Sequence, residues 1–446
     1  MEEKMNIQLS DHFNYKNLLR FTFPSIIMLV FTSIYGVVDG FFVSNFVGKT
    51  SFTAVNFIMP FLMILGSFGF MFGTGGGALI AKTLGEGKRE KANSLFSLII
   101  YTSLASGIIL AVFGILFVRP IAAALGAEGQ LLEDSVVYGR IILAALPAYI
   151  LQYEFQCLFA TAGKPTLGLY VTIAAGFTNM ILDGLFVAFF RLGIPGAAGA
   201  TAISQCVGGV IPLVYFARKN KSLLRLGKTR FDTRELLKAC TNGSSELMSN
   251  ISMSVVSMLY NVQLLKYAGE DGIAAYGVLM YVSMIFQAVF IGYSVGTAPV
   301  VSYHYGAQNH EELKSLRKKS LVITGTFAVL MFAGASVLAK PLSNVFVGYD
   351  AALFALTVRG FSIFSFSFLF SGFAIFGSSF FTALNNGMIS AAIAFLRTLV
   401  FQIAAVMILP VIWGVDGIWV SIVAAEVMAV TVTVIFLKAK QKQYQY

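Results

Sequence analysis

Two acidic residues stand out because the chain offers them no cation. Asp183 closes the run Asn179-Met-Ile-Leu-Asp183 inside an apolar stretch from about Leu167 to Phe190, long enough to cross a bilayer. Asn179 and Asp183 are four residues apart, so a helix places both on one face. Asp39 lies at the same depth in the first apolar stretch, with Tyr35 one turn before it. Thr201 enters a third stretch at that level. A carboxylate inside a membrane helix is costly, and such groups usually face a cavity and mark an ion or substrate path. Two carboxylates, an amide, a hydroxyl and a phenol offer oxygen-rich ligation, which suits a hard cation such as Na⁺ or a shared proton. The competing interpretation is a polar cluster that only locks helices together. It would be a poor way to gain stability, because no basic residue lies near either acid in the sequence.

The surrounding sequence must supply membrane helices to hold these groups. Of 446 residues, 57% are hydrophobic and 12% charged, against about 25% charged in a soluble domain. Long apolar runs, in place of short alternating segments, give an all-α polytopic membrane protein and exclude a β-barrel. Twelve spans are expected, at about 17–42, 54–81, 94–118, 136–160, 166–190, 196–217, 239–266, 273–303, 319–338, 352–383, 388–411 and 416–437. The first is too long for a signal-peptide core and is expected to stay as a helix. The net charge of +10 sits in loops, so it points to the positive-inside rule and away from nucleic acid. Lys4, Lys16 and Arg20, the Lys82–Lys91 cluster, Arg218–Lys238, Lys314–Lys319 and Lys438–Lys442 then face the cytoplasm, with both termini. Trp413 and Trp419 are expected at an outer aromatic belt. Cys157, Cys206 and Cys240 are read as small packing residues.

The long basic stretch divides the chain into an N-terminal lobe (1–217), a linker (218–238) and a C-terminal lobe (239–446). The two lobes look alike. Gly73-Thr74 through Gly85 and Gly296-Thr297 through Gly306 each read as a helix end and a Gly turn, followed by a charged stretch. Six spans per lobe make the repeats parallel, related by pseudo-two-fold symmetry along the membrane normal. Such repeats, with a site near mid-membrane, are a signature of secondary transporters. Pro24 should kink the first span and free a carbonyl. Glu246, Arg397 and Glu426 are mid-span in the second lobe and are the candidate substrate-cavity residues; Arg397 and Glu426 are similarly deep and could instead pair structurally. Glu154 is expected to reach the inner interface. Gly73 and Gly77 form a small-residue contact face. The abundant Met and Phe could partly line an adaptable apolar cavity.

Taken together, these features resemble the multidrug and toxic compound extrusion (MATE) transporters, in particular their MepA-like and DinF-like bacterial members, over nearly the whole chain. The resemblance matches the family's cation site to Asp39, Tyr35, Asn179, Asp183 and Thr201, and its bending proline to Pro24. The helix-seven acid of the NorM branch corresponds to Glu246. That branch's helix-ten aspartate has no counterpart, because Ser362 to Asn385 contains no acid. The resemblance implies a plasma-membrane exporter of cationic amphipathic compounds, working by antiport with Na⁺ or H⁺ through alternating access between the lobes. No enzyme activity and no cofactor beyond the coupling ion is expected. The expected partners are small-molecule substrates and membrane lipids, and one chain suffices as a monomer. The alternative within the same superfamily is a flippase of lipids or lipid-linked oligosaccharides. Its cavity would carry several basic residues, whereas only Arg397 is clearly intramembrane here.

Overall fold

Backbone inside hydrocarbon must satisfy its N–H and C=O groups within its own segment, so apolar runs of this length fold as helices. The computed structural model describes residues 7–47 and 49–446, and these form helices with no strand among them. Lys4, assigned above to the inner face, lies outside the described residues. The helices are α1 (Tyr15–Phe42), α2 (Lys49–Gly85), α3 (Arg89–Ala124), α4 (Gly129–Ala144), α5 (Leu146–Thr161), α6 (Pro165–Asp183) and α7 (Gly193–Ala217). They continue as α8 (Thr233–Gly306), α9 (His310–Val347), α10 (Ala351–Phe364), α11 (Phe368–Ala383), α12 (Gly387–Phe395) and α13 (Phe401–Tyr444). Short polar side chains start several of them. Asn14 accepts from the Asn17 amide at 2.8 Å, and Asp232 accepts from the Arg234 amide at 2.9 Å, which satisfies donors that a first helical turn leaves free.

Among the described residues, nine helices are long and apolar enough to cross a membrane, and α4 with α5, bent by 60°, makes a tenth. Pro147 in the first turn of α5 lies at that bend. Two of the nine exceed any single crossing. The α8 helix runs for 74 residues, roughly 110 Å of straight helix against a core of about 30 Å. It folds back at Gly269, where φ is +63°, a conformation that side-chain-bearing residues rarely adopt. The reversal stacks the Tyr260 ring on Tyr276 with centroids 5.4 Å apart, which a straight helix could not do. The α13 helix folds back in the same way at Gly414, with φ +57°. Gln402 and Ser421, one on each limb, both reach the Tyr260 hydroxyl, at 2.7 and 2.8 Å.

Side chains gather into distinct cores. One draws on residues 43–198, with Ile58, Tyr138 and Val187 among its buried members. Another draws on residues 256–422. Trp419 belongs to the second: it is fully buried against Gly360, contrary to the expected outer belt, whereas Trp413 is exposed. The glycine left room for the indole, and burying so large an apolar ring outweighs the interface preference of tryptophan.

The basic ends of α2 and α8 cross at backbone distance. A Cβ on Gly85 would sit 1.9 Å from the Tyr303 carbonyl oxygen, and one on Gly306 would sit 2.0 Å from that of Lys82. The contact is reciprocal: Gly306 stands to Lys82 as Gly85 stands to Tyr303. Gly85→Ala and Gly306→Ala should therefore each force the crossing apart, costing about 1–3 kcal/mol. Gly277→Ala meets nothing within 4 Å and should be neutral or slightly stabilising. Thermal unfolding of the three purified variants checks this; equal melting temperatures would remove the interlock.

Candidate cation site and central cavity

The first site lies where α1, α6 and α7 converge. Gly176 lets α6 approach α1 so closely that a Cβ there would meet the Phe31 ring at 2.4 Å. Asp39 lies in the last turn of α1 and Asp183 ends α6, both buried. Beyond Asp183 the helix loosens into a π-helical stretch, Gly184–Phe189, and a second, Val43–Val47, follows α1. Such local widening is frequent at functional sites. Thr201 of α7 donates to Asp39 Oδ1 at 3.5 Å and accepts from Asn179 Nδ2 at 3.5 Å. The two carboxyl groups face each other closely enough to share a hydrogen bond once one carries a proton. Among the described residues neither acid has an ion-pair partner.

Four of the five expected residues thus form one cluster. Tyr35 sits at its edge, where its hydroxyl accepts from Gln152 Nε2 at 3.5 Å, still within electrostatic reach of Asp39. Sequence reasoning missed Tyr138 of α4. It is fully buried, and its hydroxyl lies within electrostatic reach of both acids. Both Asp183 oxygens, Asn179 Oδ1 and the Tyr138 hydroxyl have no hydrogen-bond partner among the described residues. Buried polar atoms are nearly always satisfied, so a cluster of four orphans marks a place where an ion, a proton or water completes the bonding. Tyr138→Phe removes a buried hydroxyl that has no hydrogen-bond partner among the described residues. It should weaken cation binding about fivefold while leaving the melting temperature within about a degree; cation titration of the purified variant checks both.

Pro24 is buried within a continuous α1. Glu154 does not reach an interface. It is fully buried and takes a hydrogen bond from the Ser103 hydroxyl of α3.

A second site is a cavity of about 200 Å³ between α2, α5, α8, α11 and α12 and the π-helical stretch Leu396–Val400. Glu246 and Arg397 are on its wall, among hydroxyls and amides such as Thr74, Asn250, Gln287 and Ser379. Glu426 is not on the wall. It lies behind Arg397, whose Nε donates to both its oxygens at 2.9 and 3.1 Å. Folding α13 back at Gly414 brings that carboxylate onto the arginine from outside the cavity. Arg397 is thereby neutralised, while Glu246 has no ion-pair partner among the described residues.

A helical membrane protein with a buried pair of acids in one half and a separate cavity walled by both halves is a membrane transporter in class. The chain belongs to the MatE family, whose model matches residues 24–185 and 247–408, once in each half. It is 29% identical over 319 residues to the multidrug export protein MepA of Staphylococcus haemolyticus, covering 71% of this chain and 70% of that protein. It is 25% identical over 416 residues to the MepA of Staphylococcus saprophyticus, covering 92% and 91%. Its fold matches an outward-facing multidrug resistance MATE transporter of the MOP superfamily with a TM-score of 0.92 at 22% identity, over 99% of this chain and 98% of the other.

Proposed function

We propose that the protein exports cationic amphipathic compounds across the plasma membrane, driven by inward flow of Na⁺ or H⁺. The observation that carries the proposal is the Asp39–Asp183 pair, buried without a counter-cation and surrounded by orphaned oxygens. Asp39, Asp183, Asn179, Thr201 and Tyr35 hold the coupling ion, with Tyr138 added to them. Counting the folded-back α8 and α13 as two crossings each and the bent pair as one gives twelve, six in each of two lobes (1–217 and 239–446) joined by 218–238. The reciprocal Gly85 and Gly306 contacts fit a pseudo-two-fold axis along the membrane normal. They also fit lobes closed at their cytoplasmic ends and parted outside, with both termini cytoplasmic. The monomer contains both sites. Bending of α1 at Pro24 carries the change of state.

The reading is tested in proteoliposomes, as export of a fluorescent cation under imposed Na⁺ or pH gradients. Export indifferent to both gradients would refute it. The flippase alternative is disfavoured by the cavity's single arginine, already paired with Glu426. Glu246 supplies the acid for a cationic substrate, so Glu246→Gln should weaken drug affinity about tenfold and spare ion binding. Lost ion binding with normal drug affinity would reverse the assignment of the two sites.

A further inference from the structure

A separate groove opens on the C-terminal half between α9, α11 and α13. It holds about 530 Å³, within the roughly 300–1,000 Å³ typical of ligand sites. Its walls are almost wholly apolar, built from Leu321, Phe373, Val434 and Leu437. Its mouth carries Arg317 and Lys438. Arg317 lies two turns into α9 and Lys438 near the end of α13, so both stand at the basic face of the molecule.

Neither cation is matched by an acid of the protein. Among the described residues neither forms an ion pair. Arg317 rests its guanidinium on the Tyr446 ring at 5.1 Å, and its Nε is buried without a hydrogen-bond partner. A cation stacked on an aromatic ring is held in place while its N–H groups stay free to donate. Val434 is 41% exposed at the groove, so the apolar wall opens outward.

We infer that this groove seats an anionic phospholipid of the inner leaflet. The phosphate sits between Arg317 and Lys438, and one acyl chain runs along Leu321, Phe373 and Val434. A soluble anion would use the mouth and leave the apolar wall wet. A zwitterionic lipid would cover the wall and bring a positive charge to the same two cations. Only a lipid with net negative charge matches both halves, and basic pockets between membrane helices on the cytoplasmic side are known to hold such headgroups.

The test uses the full-length protein purified in mild detergent, with retained lipid counted by native mass spectrometry. Phosphatidylglycerol, phosphatidylcholine and inorganic phosphate are added separately. The wild type should retain phosphatidylglycerol and gain thermal stability with it, and should gain little from phosphatidylcholine. Arg317→Gln/Lys438→Gln should bind phosphatidylglycerol about tenfold more weakly or worse. Val434→Trp, which fills the groove and keeps both charges, should also lose the lipid. Equal retention of both lipids would overturn the inference, as would an unaffected double variant. Stabilisation by inorganic phosphate that survives Val434→Trp would assign the mouth to a free anion and equally overturn it.

Discussion

Asp183→Asn should abolish gradient-driven export while leaving the protein in the membrane at wild-type abundance. The change keeps the side-chain shape and removes a carboxyl group that can ionise, mimicking permanent protonation. Asp183 is fully buried, and neither oxygen has a hydrogen-bond partner among the described residues, so both oxygens are free to take up an arriving ion or proton. An ion drives transport only if it binds two conformations with different affinity; equal affinity shifts nothing. Coupling energies of about 1–3 kcal/mol correspond to a 5–150-fold response, and this is the enhancement expected to disappear. Asp39→Asn should do the same, since Asp39 is the other half of the pair. The fold should not suffer, because the amide is isosteric and cannot bring a buried charge with it. Melting temperatures at or above wild type, with export no faster under a gradient than without one, form the expected pattern. Wild-type export by either variant at matched abundance would remove that carboxylate from the coupling site.

The second large effect concerns Arg397. Arg397→Met leaves Glu426 buried, with both of its hydrogen bonds lost. Removing one partner of a buried pair costs about 3–5 kcal/mol, whereas replacing both by apolar residues of similar volume is often neutral. Arg397→Met should therefore unfold far more easily than wild type, and Arg397→Met/Glu426→Leu should recover most of the loss. Thermal unfolding of both variants in the same detergent measures this. A single variant as stable as wild type would show that water already solvates Glu426. Transport by the recovered double variant then separates structure from function: restored stability without restored export would assign the cavity-facing guanidinium to substrate handling.

Much of the candidate site was legible because charge in hydrocarbon is expensive. Asp39, Asp183, Glu246 and Arg397 could be picked out by depth alone, and spacing put Asn179 beside Asp183. The helices followed from the same physics, since apolar length and backbone satisfaction leave little choice. Hydropathy, however, reports the cost of transfer along one span and says nothing of what stands opposite. Tyr138 is one of 18 tyrosines and had no sequence mark; only the convergence of four helices brings its hydroxyl within reach of the two acids. Glu154 and Trp419 lie in spans whose depth was counted residue by residue, and neighbouring helices bury both side chains. Glu426 read as a cavity residue until the turn at Gly414 set it behind Arg397. Residue type fixed which groups could not face lipid, whereas the contacts across helices decided what each of them faces instead.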